Sequence, residues 1–332
     1  MQYKLKWIDV LKGLTLIVIY IGCLGSGEGI TYHFVSTHYA ALFFCVLGLV
    51  ENYNSEKNVL KNIVGKVKTV LVPCYILAYV ILVIVTIQYD GGLDFIKGVN
   101  GILAKGIIRN TFVADSLWLL TCLFCIQLMF VLLQQIKYRW LVFTICLGVH
   151  CYTVIWMNSI TYPQWYFNID SALYYLFFYA IGYFTFPYIV SMFELDTKKK
   201  KILFAITSMI SLTYTAGIYF GVDVLFYILP SFTWRFASDL KIIIIIWLYF
   251  VVARLFQEIK FLSEIGKNIL YLCGSEYILR ILITTVLSIF GKAFVINYPI
   301  HIFMYIGIAI FLGNKYMIPV VKYLIGKVVR EV

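Results

Sequence analysis

The segment Thr69–Gln88, TVLVPCYILAYVILVIVTIQ, runs its whole length without a charged residue. A transmembrane helix needs about 20 predominantly apolar residues, so this stretch reads as a membrane span. Reading outward from it, comparable runs recur near 7–24, 34–51, 69–88, 116–136, 140–157, 171–193, 202–220, 241–257, 268–290 and 296–313. The chain of 332 residues is 62% hydrophobic and 13% charged, with a mean hydropathy of +0.91. Soluble domains carry about 25% charged residues, which excludes a soluble enzyme. The composition equally excludes a disordered, collagenous or disulfide-rich secreted chain. The expectation is an all-α polytopic membrane protein: one domain over 1–332, a bundle of about ten transmembrane helices. Asp9 and Lys12 interrupt the first apolar run, so no cleavable signal is expected there.

The net charge of +11 reads as topology and not as nucleic-acid binding, because the cations are scattered between spans. Nineteen of the 27 Lys and Arg fall on one set of segments, including Lys57, Lys61, Lys66, Lys68, Lys198 to Lys201, Lys260 and Lys267. By the positive-inside rule that side is cytoplasmic, and both termini lie there. The loops near 89–115, 158–170 and 221–240 then face outward, rich in Trp, Tyr, Phe, Asp and Gly. That composition suits stacking on sugar rings or lying in an aromatic belt. The eight cysteines fall in or beside apolar runs and read as small apolar residues. The Cys122–Cys125 pair lacks a second pair for zinc, and no metal site is expected.

Ionisable groups inside spans are functional candidates by default. On a helical wheel Asp9, Lys12, Leu16, Tyr20 and Cys23 share one face of the first helix, offering an acid, a base, a phenol and a thiol. Asp9 and Lys12 also have the spacing of a plain ion pair. In the ninth candidate span Asn268, Leu272, Glu276, Arg280 and Thr284 recur every four residues, with Glu276 one turn before Arg280. That order suits a structural ion pair, or a carboxylate that orients a hydroxyl and a guanidinium that neutralises an anion. Of the histidines, His38 lies at the same end as Cys23, while His150 and His301 read as core residues. Lys57, Lys61, Lys66 and Lys68 cluster before an apolar run; topology alone accounts for them, and the sharper reading is a phosphate-rich ligand such as coenzyme A. No Walker, GxSxG or HExxH signature is present, which argues against ATP-driven transport and soluble-type hydrolysis.

The stretch Trp7-Ile8-Asp9-Val10-Leu11-Lys12-Gly13, with Gly22-Cys23 after it, resembles the first helix of the acyltransferase 3 family of integral-membrane O-acyltransferases. Leu42-Phe43-Phe44 with Gly48 resembles that family's second-helix element, and Lys66–Pro73 its basic segment leading to a proline. Ser116-Leu117-Trp118, Phe167–Leu173 with Gly182-Tyr183, Ile265-Gly266-Lys267-Asn268 and Ile318-Pro319 continue the likeness in order. The family pattern has histidines or basic residues where this chain has Cys23, Tyr39, Thr69 and Glu276.

The resemblance implies acyl transfer from cytoplasmic acetyl-CoA or another acyl-CoA to a sugar hydroxyl of a surface polysaccharide or its lipid-linked precursor, in a bacterial inner membrane. Acyl-CoA would be the co-substrate and no cofactor would be tightly bound. The partners would be membrane lipids and glycan, with no nucleic acid. Such chemistry needs a base or nucleophile and donors for an oxyanion. The catalytic candidates are Asp9, Lys12, Cys23, His38, Glu276 and Arg280, with Cys23 a thioester carrier if it ionises. Trp118, Trp165 and Asp170 are acceptor-side candidates. Two other readings stay open: a non-catalytic relative that binds or translocates an acyl donor or glycan, and an unrelated polysaccharide polymerase or flippase.

Overall fold

In hydrocarbon every backbone N–H and C=O must be satisfied within the segment, which a helix achieves by itself. The computed structural model describes residues 5–24, 29–53, 59–88, 107, 115–157, 165–225, 234–292 and 299–331, and among these every regular element is helical. In chain order they are α1 (Lys6–Gly22), α2 (Gly29–Ser36), α3 (Tyr39–Tyr53), α4 (Val59–Lys66), α5 (Val72–Gln88), α6 (Trp118–Leu133), α7 (Arg139–Trp156), α8 (Ile169–Phe193), α9 (Lys198–Tyr219), α10 (Trp234–Leu255), α11 (Lys260–Lys267), α12 (Ile269–Ile289), α13 (Pro299–Leu312) and α14 (Ile318–Glu331). Five-residue π-helical segments, Val67–Leu71 and Gly313–Met317, join α4 to α5 and α13 to α14.

Seven described stretches are long and apolar enough to cross a membrane: Val59–Ile87, Arg139–Trp156, Tyr166–Phe193, Lys198–Tyr219, Phe236–Leu255, Ile269–Ile289 and Ile300–Leu324. The pair α2 and α3, bent by 45°, makes an eighth if counted as one broken span. Each of the ten sequence candidates overlaps a described helix, but the one at 34–51 is interrupted by the α2–α3 break at Thr37 and His38, and α1 and α6 have only 17 and 16 residues. At 1.5 Å per residue a 17-residue helix covers about 25 Å of a hydrocarbon core about 30 Å thick.

The chain divides into two compact units, residues 1–54, 178–267 and 297–299 in one and 55–177, 268–296 and 300–332 in the other. In the first, glycines set how closely helices approach, the usual device where no hydrophobic force drives helix association in lipid. A Cβ on Gly48 of α3 would strike the Tyr179 carbonyl of α8, and one on Gly182 of α8 would strike the Cys45 carbonyl of α3. Trp7 of α1 packs edge-on against Phe193 and Phe250, with ring centroids 5.0 and 6.5 Å away. The Arg254 guanidinium donates to the Phe193 carbonyl at 3.2 Å, satisfying an acceptor that the end of α8 leaves open. The chain then turns through Leu195 at φ 51°. Thr197 caps α9 by accepting from the Lys200 N–H at 3.3 Å.

In the second unit the turn into α8 is held by consecutive left-handed residues, Phe167 and Asn168, at φ 56° and 57°. The buried Asn168 amide fixes it by donating to the Ile107 carbonyl and, at 2.8 Å, to the Thr121 hydroxyl. Asn tolerates this region better than other non-glycine residues; Phe167 is strained there.

Candidate functional site

The first unit builds a charged recess at the start of α1. Gly13 of α1 lies against the Leu262 carbonyl of α11, and Gly266 of α11 lies against the Asp9 carbonyl of α1, so close that a Cβ at either position would collide with backbone. This mutual approach leaves a recess of about 320 Å³ lined by Lys6, Asp9, Gln257, Glu258, Lys260, Ser263, Glu264 and Lys267. At its mouth the exposed Lys6 ammonium donates to Glu258 at 2.8 Å. The Lys12 ammonium pairs with Asp9 at 2.6 Å, both side chains more than 80% covered. Lys260 and Lys267 have no ion-pair partner among the described residues, and the lining as a whole sets three cations, Lys6, Lys260 and Lys267, against three carboxylates, Asp9, Glu258 and Glu264.

The rest of the α1 face divides. Tyr20 is fully buried, and Cys23 is a buried, unoxidised thiol just past the helix end. Gly22 sits against the Tyr39 ring, which brings its chain neighbour Cys23 to the region of the α2–α3 break where His38 lies. His38 is buried, its Nε2 3.2 Å from the Tyr249 hydroxyl of α10 and its Nδ1 3.3 Å from the Thr37 hydroxyl. Tyr249 sits in the apolar run of α10, where nothing in the sequence marks it as a partner of His38.

The second unit holds the other candidates. Glu276 of α12 is fully buried; its Oε1 accepts from the Tyr305 hydroxyl of α13 at 2.9 Å and lies 3.7 Å from Arg280 Nε. Its Oε2 has no hydrogen-bond partner among the described residues. Arg280 also lies over the Tyr277 ring, 5.1 Å from its centroid. The rest of the stripe is local: the Ser275 and Thr284 hydroxyls donate to carbonyls of their own helix, and Asn268 accepts from Lys322 at 3.1 Å.

Of the lysines proposed for coenzyme A, Lys57 lies outside the described residues, Lys61 and Lys66 sit on α4, and Lys68 is in the π-helical segment. Trp118 is buried near the Tyr175 ring, centroids 6.2 Å apart. Trp165 is half exposed, and the buried Asp170 caps the α8 turn, accepting from the Ser171 N–H at 2.7 Å. His150 is buried with Nδ1 2.9 Å from the Tyr174 carbonyl, the placement of a core histidine. Among the described residues no three His, Cys, Asp or Glu side chains form a metal-ligand group.

Sequence reasoning identified Asp9, Lys12, Glu276 and Arg280 because charge inside an apolar run stands out. It missed Gln257, Glu258, Ser263 and Glu264 as recess residues, since polar residues between spans look like ordinary loop. A signal was nevertheless present: KFLSEIGK places Leu262, Ile265 and Gly266 on one side and charges on the other, the pattern of an interfacial helix. No family model, curated protein or solved structure matches this chain.

Proposed function

We propose that the protein is a membrane-embedded O-acyltransferase that takes an acetyl group from cytoplasmic acetyl-CoA and passes it to a hydroxyl of a surface polysaccharide or its lipid-linked precursor. The reading rests on the resemblance to the acyltransferase 3 family, and one observation carries it into the structure. The Asp9–Lys12 pair lies at a charged recess closed by the Gly266 segment, so the two stretches that resemble the family at 7–13 and 265–268 are spatial partners. The stretches around Gly48 and Gly182 pair in the same way.

Under this reading the protein has ten spans, both termini in the cytoplasm of a bacterial cell and the recess on the cytoplasmic face. Lys260 and Lys267 attract the phosphates of the donor there. Asp9 holds the Lys12 ammonium in place, and that cation offsets negative charge developing on the thioester oxygen. The buried Cys23 thiol, where the family pattern has histidine, favours a second reading: a relative that binds donor or glycan without transferring the acyl group.

Deleting the protein is expected to remove an O-acetyl signal from the surface glycan, read by NMR before and after mild base treatment. Identical spectra from wild-type and deletion cells would overturn the first reading. Restoration by wild type and not by Asp9→Asn, at equal membrane abundance, would place the pair in the mechanism.

A further inference from the structure

We propose that α9 carries a binding site for an anionic phospholipid, with the phosphate on Lys198 and Lys199 and an acyl chain laid along the helix into a groove at Thr213. Four lysines, Lys198 to Lys201, open this helix, with no acidic residue in its first turn. Lys200 turns back onto Asp196 and Glu194, at 2.9 and 3.6 Å. Lys198 and Lys199 are exposed and have no partner among the described residues. The positive-inside rule accounts for the side on which the lysines lie. It does not account for stacking them on one turn, where they repel one another and oppose the helix dipole. A phosphodiester at the membrane surface relieves that repulsion, and each nearby lysine adds attraction.

The apolar half of the site continues from the same turn. At 100° per residue, Lys198 and Lys199 fall in one fan of about 120° with Ile202, Ile206, Met209, Ile210 and Thr213. These four apolar side chains are 49–65% exposed, and α9 is the least covered of the seven described spans, 11% against 28–44% for the other six. The ridge ends in an apolar groove of about 410 Å³ between Met209, Ile210, Thr213 and Gly217 on the helix and Val222 and Val224 beyond it. Along the axis Lys199 is about 15 Å from Met209, where the groove begins, and about 21 Å from Thr213; the near rim thus lies about half the hydrocarbon core away, the depth one leaflet's acyl chain reaches. Cation and groove are therefore spaced as the two ends of one lipid. The inference is independent of acyl transfer.

The test uses the purified full chain in detergent, with bound lipid counted by native mass spectrometry. The probes are dioleoylphosphatidylglycerol, dioleoylphosphatidylcholine, dihexanoylphosphatidylglycerol and inorganic phosphate. Dioleoylphosphatidylglycerol is expected to bind more tightly than the choline lipid. Lys198→Gln with Lys199→Gln should weaken it about tenfold or more, while the double arginine variant retains it, separating charge from folding. Thr213→Trp should weaken the dioleoyl lipid and leave the dihexanoyl lipid unchanged. Equal retention of both dioleoyl lipids, undiminished binding by the glutamine variant, or displacement of the lipid by an equal concentration of inorganic phosphate would overturn the proposal.

Discussion

Three carboxylates, Asp9, Glu276 and Asp196, show what single residues contribute. Asp9 and Lys12 are mostly covered and 2.6 Å apart; breaking such a pair leaves an uncompensated charge, whereas removing both partners costs less. Asp9→Asn is therefore expected to destabilise the protein by roughly 3 kcal/mol, with Asp9→Leu/Lys12→Met less affected than Asp9→Asn, read as unfolding temperatures in detergent. At Glu276 the hydroxyl of Tyr305 is the direct donor, and Tyr305→Phe should lower stability by about 1–3 kcal/mol by leaving a buried oxygen unmatched. Glu276 and Arg280 were legible in the sequence because a charge in an apolar run is conspicuous and four residues make a helical turn. Tyr305 was not, since a tyrosine among apolar residues looks the same whether it packs or hydrogen-bonds. Asp196 offers a pH reading outside the spans: a hydrogen bond from Lys200 holds its carboxyl below its usual value of 3.8. Its contribution is thus present above that usual value and lost as the pH falls through the lower folded one. Asp196→Asn should flatten that acid limb with little change at neutral pH, because an exposed pair is worth little.

At the scale of elements, contacts between helices depend on which glycines lack room for a methyl group. Gly266→Ala would push a Cβ into the Asp9 carbonyl, an unyielding backbone atom. It is expected to separate α11 from α1, to open the recess, and to lower the unfolding temperature. Gly148, inside α7, has open space around its Cβ position. Gly148→Ala should be neutral or stabilise by up to about 1 kcal/mol, and a loss equal to that of Gly266→Ala would refute the distinction. The long apolar helices were readable from hydrophobic runs, since length and apolarity act locally, whereas α4, α11 and α14 lie outside those runs and were not. The α2–α3 bend and the π-helical joints were not, because a run such as Val67–Val72 reads the same with one more or one fewer residue in its turn.

For the whole molecule, sidedness is the expectation most open to experiment. Seven of the eight cysteines are buried and Cys151 is partly so, so background thiol labelling should be low. Single cysteines introduced in the 89–115 segment should react with an impermeant reagent applied from outside, and those in the 57–68 segment, which contains α4, should not; the reverse pattern would invert the topology. The charge recess also has a consequence in time. Lys6 and Glu258, which meet at its mouth, are 252 residues apart in sequence, so α1 leaves the ribosome long before α11 exists. During that interval the Asp9–Lys12 pair must be tolerated without the helix that covers it, and no nascent chain that stops before Lys267 can present the recess. Assembly of the first unit is therefore a late event in biogenesis, and an insertion chaperone or the translocon has a long window in which to hold α1.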